Sequence, residues 1–191
     1  MTTKIILASN SSRRRELLNQ IGLTFAVVPA DVDEHVLQGE TAEACSSRLA
    51  LDKARVAAKH AGEGIFIAAD TIVVVEGDVF GKPIDAADAR RMLARLSGKE
   101  HTVVTGLAVL DASTGRSIVR TSVTKVVFRD LSQREIDAYV ATGEPLDKAG
   151  AYGIQERGAL LVERIEGCYS NVVGLPLSLL GEMLREFGIP L

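Results

Sequence analysis

The sequence is poor in aromatic residues and contains no long apolar run. Only 4% of its 191 residues are aromatic and there is no tryptophan, so the core has to be built from valine, leucine, isoleucine and alanine. No apolar segment approaches the roughly 20 residues needed to span a bilayer. The N-terminal segment MTTKIILASNSSRRR lacks the length and the small-residue cleavage site of a signal peptide. These absences argue against a membrane protein and against a secreted one.

The sequence also has only two cysteines, and neither positive nor negative residues are in large excess. Cys45 and Cys168 have no C-x-x-C spacing and no neighbouring histidine cluster, which argues against zinc and favours two packed free thiols. The formal net charge is -3 and the lysines and arginines are scattered, unlike the basic footprint of a nucleic-acid-binding surface. We therefore expect a cytoplasmic protein that binds neither nucleic acid nor membrane.

Predicted strands and helices alternate along the chain, which favours an α/β fold. Strands are predicted at 4–8, 25–29, 65–75, 101–110, 117–128 and 159–165. Helices are predicted after SNSS, at 41–60, at 85–96, from Ser132 to near Gly143, and from about Pro176. Strands 101–110 and 117–128 are predicted to form a hairpin. Because no repeat or Pro/Gly/Ser linker interrupts the pattern, we expect residues 1–191 to form a single domain.

Asp70 interrupts the most apolar segment of the chain, IFIAADTIVVV. An ionised carboxylate inside such a strand is costly unless a cation or hydrogen-bond donors face it. At a strand edge facing a cleft, Asp70 is suited to bind a hard metal ion or to act as a general base. The alternative is a local turn in which Asp70 caps solvated backbone, but the apolar run resumes at Ile72, which argues against a turn.

Lys53 lies on the shoulder of an apolar stripe along its predicted helix, beside Leu49 and Val56. Its amine can reach a cleft lined by strand ends. Taken alone, the pattern favours a lysine whose stem covers core surface while its ammonium reaches water.

The segment SNSSRRR, Ser9 to Arg15, joins a predicted strand to a predicted helix. Backbone N–H groups and the positive end of the helix dipole favour an anion there, and arginine binds phosphate through two parallel hydrogen bonds. The segment is neither G-x-x-x-x-G-K nor G-x-G-x-x-G. Solvated arginines are the alternative, but their charge opposes the dipole, so anion binding is the more economical interpretation.

Further charges lie in predicted loops. Lys82 and Lys148 are each unremarkable alone, but a phosphate-rich ligand needs several point charges. Glu34 ends the acidic turn ADVDE and is suited to be a second carboxylate for a divalent metal, although an exposed acidic turn explains it equally well.

These segments together resemble the Maf family of nucleotide pyrophosphatases. LASNSSRRRELL is similar to the family's L-A-S-x-S-P-R-R-x-E-L-L, and AADTIV, GKP, LSGKEHTVVTG, EPLDKAGAYGIQ and NVVGLP recur in its order and at its spacings. The resemblance implies an α/β fold with an elongated, mixed, twisted sheet flanked by helices, in two lobes around a cleft (Maf/ITPase-like). It also implies a homodimer, and Mg²⁺- or Mn²⁺-dependent cleavage of nucleoside triphosphates between the α- and β-phosphates.

The resemblance also implies roles for individual residues. Asp70 corresponds to the proton acceptor and Glu34 to a carboxylate of the metal and catalytic centre, which makes both of them metal ligands. The residues expected around the phosphates are Ser9, Arg13, Arg14, Lys53 and Lys82, and we expect the two lysines to be catalytic.

Base selection is implied at Arg13, Thr71 and Gln155, which agree with the subgroup acting on dTTP and UTP. A subgroup acting on 7-methyl-GTP lacks the DKAGAYGIQ string and fits less well. Two departures from the family pattern are Ser12, where proline is usual, and Glu156, where glycine is common. We expect Ser12 to compensate as a helix N-cap.

Two other functions stay open at this point. One is a non-catalytic nucleotide-binding regulator of cell division and septum formation, which needs the same cationic pocket but no carboxylate inside an apolar strand. The other is a house-cleaning enzyme whose targets are modified pyrimidine nucleotides, with dTTP and UTP merely accepted.

Overall fold

The computed structural model describes residues 3–190 and has a mixed α/β fold. The strands are β1 (Ile5–Leu7), β2 (Ala26–Val27), β3 (Ile65–Val75), β4 (Asp78–Phe80), β5 (Glu100–Asp111), β6 (Ser117–Phe128) and β7 (Val162–Glu166). The α-helices are α1 (Ser12–Gln20), α2 (Ala42–Ala61), α3 (Ala86–Leu96), α4 (Gln133–Val140), α5 (Tyr169–Val173) and α6 (Leu177–Glu186). Short 3-10 helices cover Glu144–Asp147, Ala149–Ala151 and Arg157–Leu161.

The strands of the described chain form one seven-stranded sheet in the order β2-β1-β3-β5-β6-β7, with β4 paired to β3. β1 is parallel to β2 and β3, whereas β4 is antiparallel to β3 and β7 to β6. The predicted mixed sheet flanked by helices is therefore confirmed. Because β1 is parallel to both neighbours, its three residues are all buried, as the apolar IIL predicts.

The chain divides into two compact units. Unit 1 comprises residues 1–70, 105–122 and 174–191, and unit 2 comprises 71–104 and 123–173. The single domain and the two lobes around a cleft stay predictions. Among residues 3–190, none of the helices combines the length and apolar character required to cross a membrane.

The core of unit 1 packs α2 against β1 and β3. Phe66 and Ala68 point from β3 towards Ala50, Ala54 and Ala57 of α2. Small alanines let the helix lie close to the sheet, and Gly106 of β5 allows the closest approach, since a Cβ there would collide with the backbone of Ser46. Helix α2 therefore lies close to the sheet near Asp70, where the part of β3 that belongs to unit 1 ends.

The core of unit 2 contains a buried histidine among aromatic rings. His101 is 2% exposed, its Nε2 lies 2.8 Å from the Tyr152 hydroxyl, and Phe128 contacts it edge-on at 5.0 Å between centroids. Its Nδ1 has no hydrogen-bond partner among the described residues. Burial therefore lowers the pKa of His101 from 6.5 to about 4, because the imidazolium would be desolvated.

This histidine predicts acid sensitivity of folding. His101 is neutral when folded at pH 5, whereas the unfolded chain binds a proton below pH 6.5, so stability is complete above pH 6.5 and falls as pH drops towards 4. The loss is roughly 3 kcal/mol, from about 1.4 kcal/mol per pKa unit. Urea unfolding from pH 7.5 to 4.5 should show this slope in the wild type and a nearly flat profile for His101→Gln.

Above pH 4.5, the pH dependence of folding stability reports on the histidine and not on the paired carboxylates. Hydrogen bonds from Arg48 and from the Ser132 backbone lower the pKa of Glu40 and Glu135 to about 2, so their contributions are lost only below the ordinary glutamate pKa of 4.5. An unchanged slope in His101→Gln would assign the acid sensitivity to other groups.

Most predicted elements are confirmed. Thr41 caps α2, Asp85 caps α3, and Ser132 with Glu135 forms the predicted capping box of α4. The β5–β6 hairpin has the predicted bounds to within one residue. Cys45 and Cys168 are both free.

Two predicted strands have different bounds in the structure, and two short elements were missed. β2 is shorter than 25–29 because only two of its residues pair with β1. β7 begins at Val162, since the preceding residues form a 3-10 helix. The short elements β4 and α5 were not predicted, because three and five residues are too few to show a period.

Candidate active site

The structure places Asp70 and Lys53 opposite each other within unit 1. Side chains alternate along a strand, so Asp70 continues the face of β3 that carries Phe66 and Ala68 and packs against α2. Lys53 lies on α2 between Ala50 and Ala54 of the same core cluster. Because β3 runs unbroken through Asp70, the alternative of a local turn is wrong.

Lys53 binds two carboxylates. Its Nζ lies 2.6 Å from Asp70 Oδ1 and 2.6 Å from Glu34 Oε1. The side chains of Lys53 and Asp70 are 9% and 11% exposed, whereas that of Glu34 is 49% exposed. The ammonium therefore ends on carboxylates and not in water, so the interpretation of Lys53 as a lysine reaching solvent is wrong. The cation required by Asp70 in an apolar strand is supplied, in this structure, by Lys53.

Glu34 is carried by a loop that is fastened to α2. Arg48 donates from Nε and Nη2 to the two carboxylate oxygens of Glu40, each at 2.7 Å, and from Nη2 to the carbonyl of His35 at 3.0 Å. Glu40 also accepts from the backbone N–H of Leu37 at 3.0 Å. A bidentate arginine–carboxylate pair is geometrically specific, so it fixes the loop next to Glu34.

The turn between β1 and α1 brings the predicted anion-binding residues together. Ser9 is 7% exposed, and its hydroxyl accepts hydrogen bonds from the Ser11 N–H at 3.2 Å and from Arg14 Nη1 at 3.1 Å. Arg14 also donates from Nε to the carbonyl of Gly174 at 2.9 Å. The Ser9 hydroxyl and the Gly174 carbonyl oxygen therefore fix the orientation of the Arg14 side chain.

The expectation that Ser12 caps α1 was wrong. The N-cap is Ser11, whose hydroxyl accepts from the N–H of Arg14. Ser12 is the first helical residue, the position where proline pre-sets the backbone angle, and it is exposed. The cap is therefore supplied one residue earlier than predicted.

Electrostatics place Arg14 among the charged residues of the site. Burial lowers the pKa of the Arg14 guanidinium, Asp70 opposes this shift, Arg13 adds to it, and Glu34 opposes it. Cations from the α1 turn and carboxylates from β3 and the Glu34 loop therefore interact within unit 1. Such an arrangement of mixed charge is suited to a polyanion accompanied by a divalent cation.

The remaining predicted site residues lie in unit 2. Lys82 and Gln155 are exposed, and Thr71 is half-buried. Lys148, in contrast, is 8% exposed and its Nζ binds Asp147 Oδ1 at 2.8 Å and the carbonyl of Glu144 at 2.7 Å. These contacts give Lys148 a structural role and argue against the phosphate contact suggested by its loop position.

The carboxylates fit a metal that arrives with its substrate. No group of three or more His, Cys, Asp or Glu side chains is placed to hold a metal ion in the described part of the chain. Glu34 and Asp70 nevertheless converge on one point, the Lys53 ammonium. Because Mg²⁺ usually keeps several waters and binds through one or two carboxylates plus substrate phosphates, this donor set suits Mg²⁺ or Mn²⁺.

The sequence did not predict the Arg48–Glu40 contact. Glu40 lies in a loop without periodic pattern and Arg48 on a helix face, so no spacing rule connects them. Glu40 directly precedes the predicted N-cap Thr41, but Arg48 lies further along α2, so the capping pattern did not connect them either.

The fold is similar to that of the Staphylococcus aureus Ham1 protein. The TM-score is 0.55 at 19% sequence identity, over 96% of this chain and 99% of that chain. At this identity the likeness concerns the fold alone.

Sequence comparison then defines the family. Residues 4–187 match the family described as Maf-like protein, and the chain belongs to that family. Proteins from Moorella thermoacetica and Geotalea uraniireducens are 54% and 53% identical over 187 and 186 residues. The alignments cover 98% and 97% of this chain and 96% of each relative. Both relatives are named dTTP/UTP pyrophosphatase, as is a 48% identical protein from Syntrophomonas wolfei that covers 95% of this chain and 96% of its own length.

Proposed function

We propose that the protein hydrolyses dTTP and UTP to the nucleoside monophosphate and pyrophosphate. The observation that carries the proposal is the buried Lys53 ammonium bound to both Asp70 and Glu34, with Arg14 beside them. The names of the relatives support the same reaction.

Glu34 and Asp70 would hold a divalent cation, Mg²⁺ or Mn²⁺, together with the phosphates of the substrate. When bound, such an ion neutralises phosphate charge and stabilises the charge that develops on the leaving pyrophosphate. Glu34 is half-exposed, which suits contact with a hydrated ion.

Asp70 acts as the general base. Its ion pair with Lys53 holds the carboxylate in place before substrate binds, and the phosphates then offer Lys53 another anionic partner. An Asp70 oxygen released in this way accepts a proton from water. The water oxygen bonds to the α-phosphorus, the bond from that phosphorus to the oxygen bridging to the β-phosphorus breaks, and pyrophosphate leaves.

The cationic side chains bind and orient the polyphosphate. Arg13 and Arg14 extend from the first turn of α1, where backbone N–H groups also favour an anion. The Ser9 hydroxyl holds Arg14 in place. Lys53 and Lys82 add point charges that suit phosphate oxygens.

Gln155 reads the base, with Arg13 and Thr71 as the other selective positions. Uracil and thymine present an acceptor–donor–acceptor edge, which a carboxamide matches with both its donor and its acceptor. Cytosine presents a different pattern and would leave polar groups unpaired.

Pyrophosphate release tests the proposal. Purified protein is incubated with each of the four canonical ribonucleoside triphosphates, dTTP and some modified pyrimidine triphosphates, with Mg²⁺, with Mn²⁺ and with neither. We expect pyrophosphate from UTP and dTTP only when a divalent ion is present. Orthophosphate as product would contradict the proposal, and tight binding without turnover would favour a non-catalytic regulator.

Replacing Gln155 by alanine tests base selection. The UTP-to-CTP ratio of kcat/KM should fall by about 10-fold or more, since one well-placed hydrogen-bond pattern discriminates by at least that factor. The kcat with UTP should change much less. Glu163→Gln, an exposed residue of unit 2, is the control. An unchanged ratio in Gln155→Ala would place base recognition elsewhere.

The cellular setting follows from the same proposal. A nucleotide hydrolase of this kind is expected in the cytoplasm as a homodimer, without nucleic-acid or membrane partners. Size-exclusion chromatography with light scattering checks the dimer.

A further inference from the structure

Within unit 2, the loop that carries Gln155 is closed at its base by two side chains. We infer that Glu144 is a positioning residue for base selection: its carboxylate, with the Tyr139 hydroxyl, fixes both ends of the segment Gly153–Gly158. This inference rests on the proposed function, because it assigns to Glu144 control over the residue proposed to read the base.

The Glu144 carboxylate holds the C-terminal end of the segment. Its Oε2 accepts a hydrogen bond from the backbone N–H of Arg157 at 3.2 Å. Its Oε1 accepts from the N–H of Gly158 at 3.2 Å. Both N–H groups therefore depend on one side chain that is distant in sequence.

The Tyr139 hydroxyl holds the N-terminal end. It accepts from the backbone N–H of Gly153 at 3.1 Å and donates to Glu144 Oε1 at 2.8 Å. Burial raises the pKa of Tyr139 well above its usual value, so the hydroxyl keeps the proton that it donates. A single hydrogen-bonded pair thus joins both ends of the loop.

Packing at the base of the loop leaves no room for a side chain at Gly158. A Cβ at Gly158 would collide with the carbonyl oxygen of Gly153 and would lie 2.8 Å from the Tyr139 hydroxyl. The two loop ends therefore contact each other directly. Lys148 fixes the backbone of Glu144 by donating to its carbonyl oxygen at 2.7 Å.

These contacts matter because the side chain they orient is itself exposed. Gln155 lies two residues from the anchored Gly153 and two from the anchored Arg157, and it is exposed to solvent, so unit 2 offers its amide little packing. A recognition side chain has to be held within about 0.5 Å of its productive position. The closed loop base supplies that restraint through the backbone.

Steady-state kinetics of Glu144→Gln test the inference. A glutamine amide has one accepting oxygen and cannot replace both carboxylate oxygens. We expect the UTP-to-CTP ratio of kcat/KM to fall about 10-fold, since loss of a supporting contact typically costs 10-fold or more. The kcat with UTP should change by less than about threefold. Glu163→Gln removes the same charge from an exposed site of unit 2 and should leave the ratio unchanged.

Tyr139→Phe provides a second variant, since it keeps the ring and removes only the hydroxyl. It should lower the same ratio. In a Gln155→Ala background, Glu144→Gln should have no further effect on the ratio, because its influence passes through Gln155; a merely structural residue would add its own loss. Thermal unfolding of each variant verifies the fold.

The outcomes separate the two proposals. If the wild type releases no pyrophosphate from UTP, the proposed function fails and the role of Glu144 fails with it. If the wild type is active but both folded single variants keep the wild-type ratio, only the inference about Glu144 is overturned. It is also overturned if both variants fail to fold, or if the effects of Glu144→Gln and Gln155→Ala are additive.

Discussion

Replacing Asp70 by asparagine is expected to lower kcat for UTP at least 100-fold. A general base typically contributes about 10²- to 10⁴-fold, and the amide cannot accept the proton of the attacking water. The variant should fold, because asparagine has the same shape and its carbonyl oxygen can still accept from Lys53. Single-turnover kinetics measure the chemical step, and circular dichroism verifies the fold.

Asp52→Asn is the matched control for this variant. Asp52 lies on α2 next to Lys53, makes an exposed ion pair with Arg55 at 3.8 Å and is 39% exposed. The same loss of charge at this position should leave kcat within about twofold of the wild type, because exposed pairs contribute little. Turnover near the wild-type rate in Asp70→Asn would remove Asp70 from the role of base.

Replacing Lys53 by methionine should damage both activity and stability. Asp70 would be left buried without its cation, and removing one partner of a buried pair costs about 3–5 kcal/mol. We expect the lower end of that range, because Glu34 is half-exposed and regains water. Loss of a charged contact to the phosphates should also lower kcat by about 100-fold or more.

A double variant separates these two effects of Lys53. Lys53→Met combined with Asp70→Asn removes the buried negative charge along with its partner, so it should unfold at higher urea than Lys53→Met alone while staying inactive. Lys59→Met, on the exposed end of α2, is the control for loss of a lysine. Equal stability of the single and double variants would show that Asp70 does not depend on Lys53.

Much of the fold was predictable because its signals are local. The apolar run of β3, the Thr41 cap of α2 and the capping box of α4 are each defined by a few adjacent residues. The shorter elements lack such signals. The segment Glu144–Leu161 looks like a loop by composition, yet it forms 3-10 helices whose backbone is held by the side chains of Glu144 and of Tyr139 from α4. No local spacing rule connects these side chains to the N–H groups that they bind.

The sequence predicted which residues form the site, but not which of them contact each other. Asp70 stood out because a charge in an apolar strand needs a partner. The identity of that partner did not follow from periodicity, since Lys53 and Asp70 are separated by 17 positions and meet only through packing of α2 on β3. Family resemblance assigned both to one site, and the structure supplies the ion pair that explains why each needs the other.

The central claim is that the site around the Lys53–Asp70 ion pair directs water to the α-phosphorus and not to the β- or γ-phosphorus. Turnover of UTP in ¹⁸O-labelled water, followed by mass spectrometry of the products, tests it most directly. We predict one ¹⁸O atom in UMP and none in pyrophosphate. Label in pyrophosphate, or release of orthophosphate, would contradict the account.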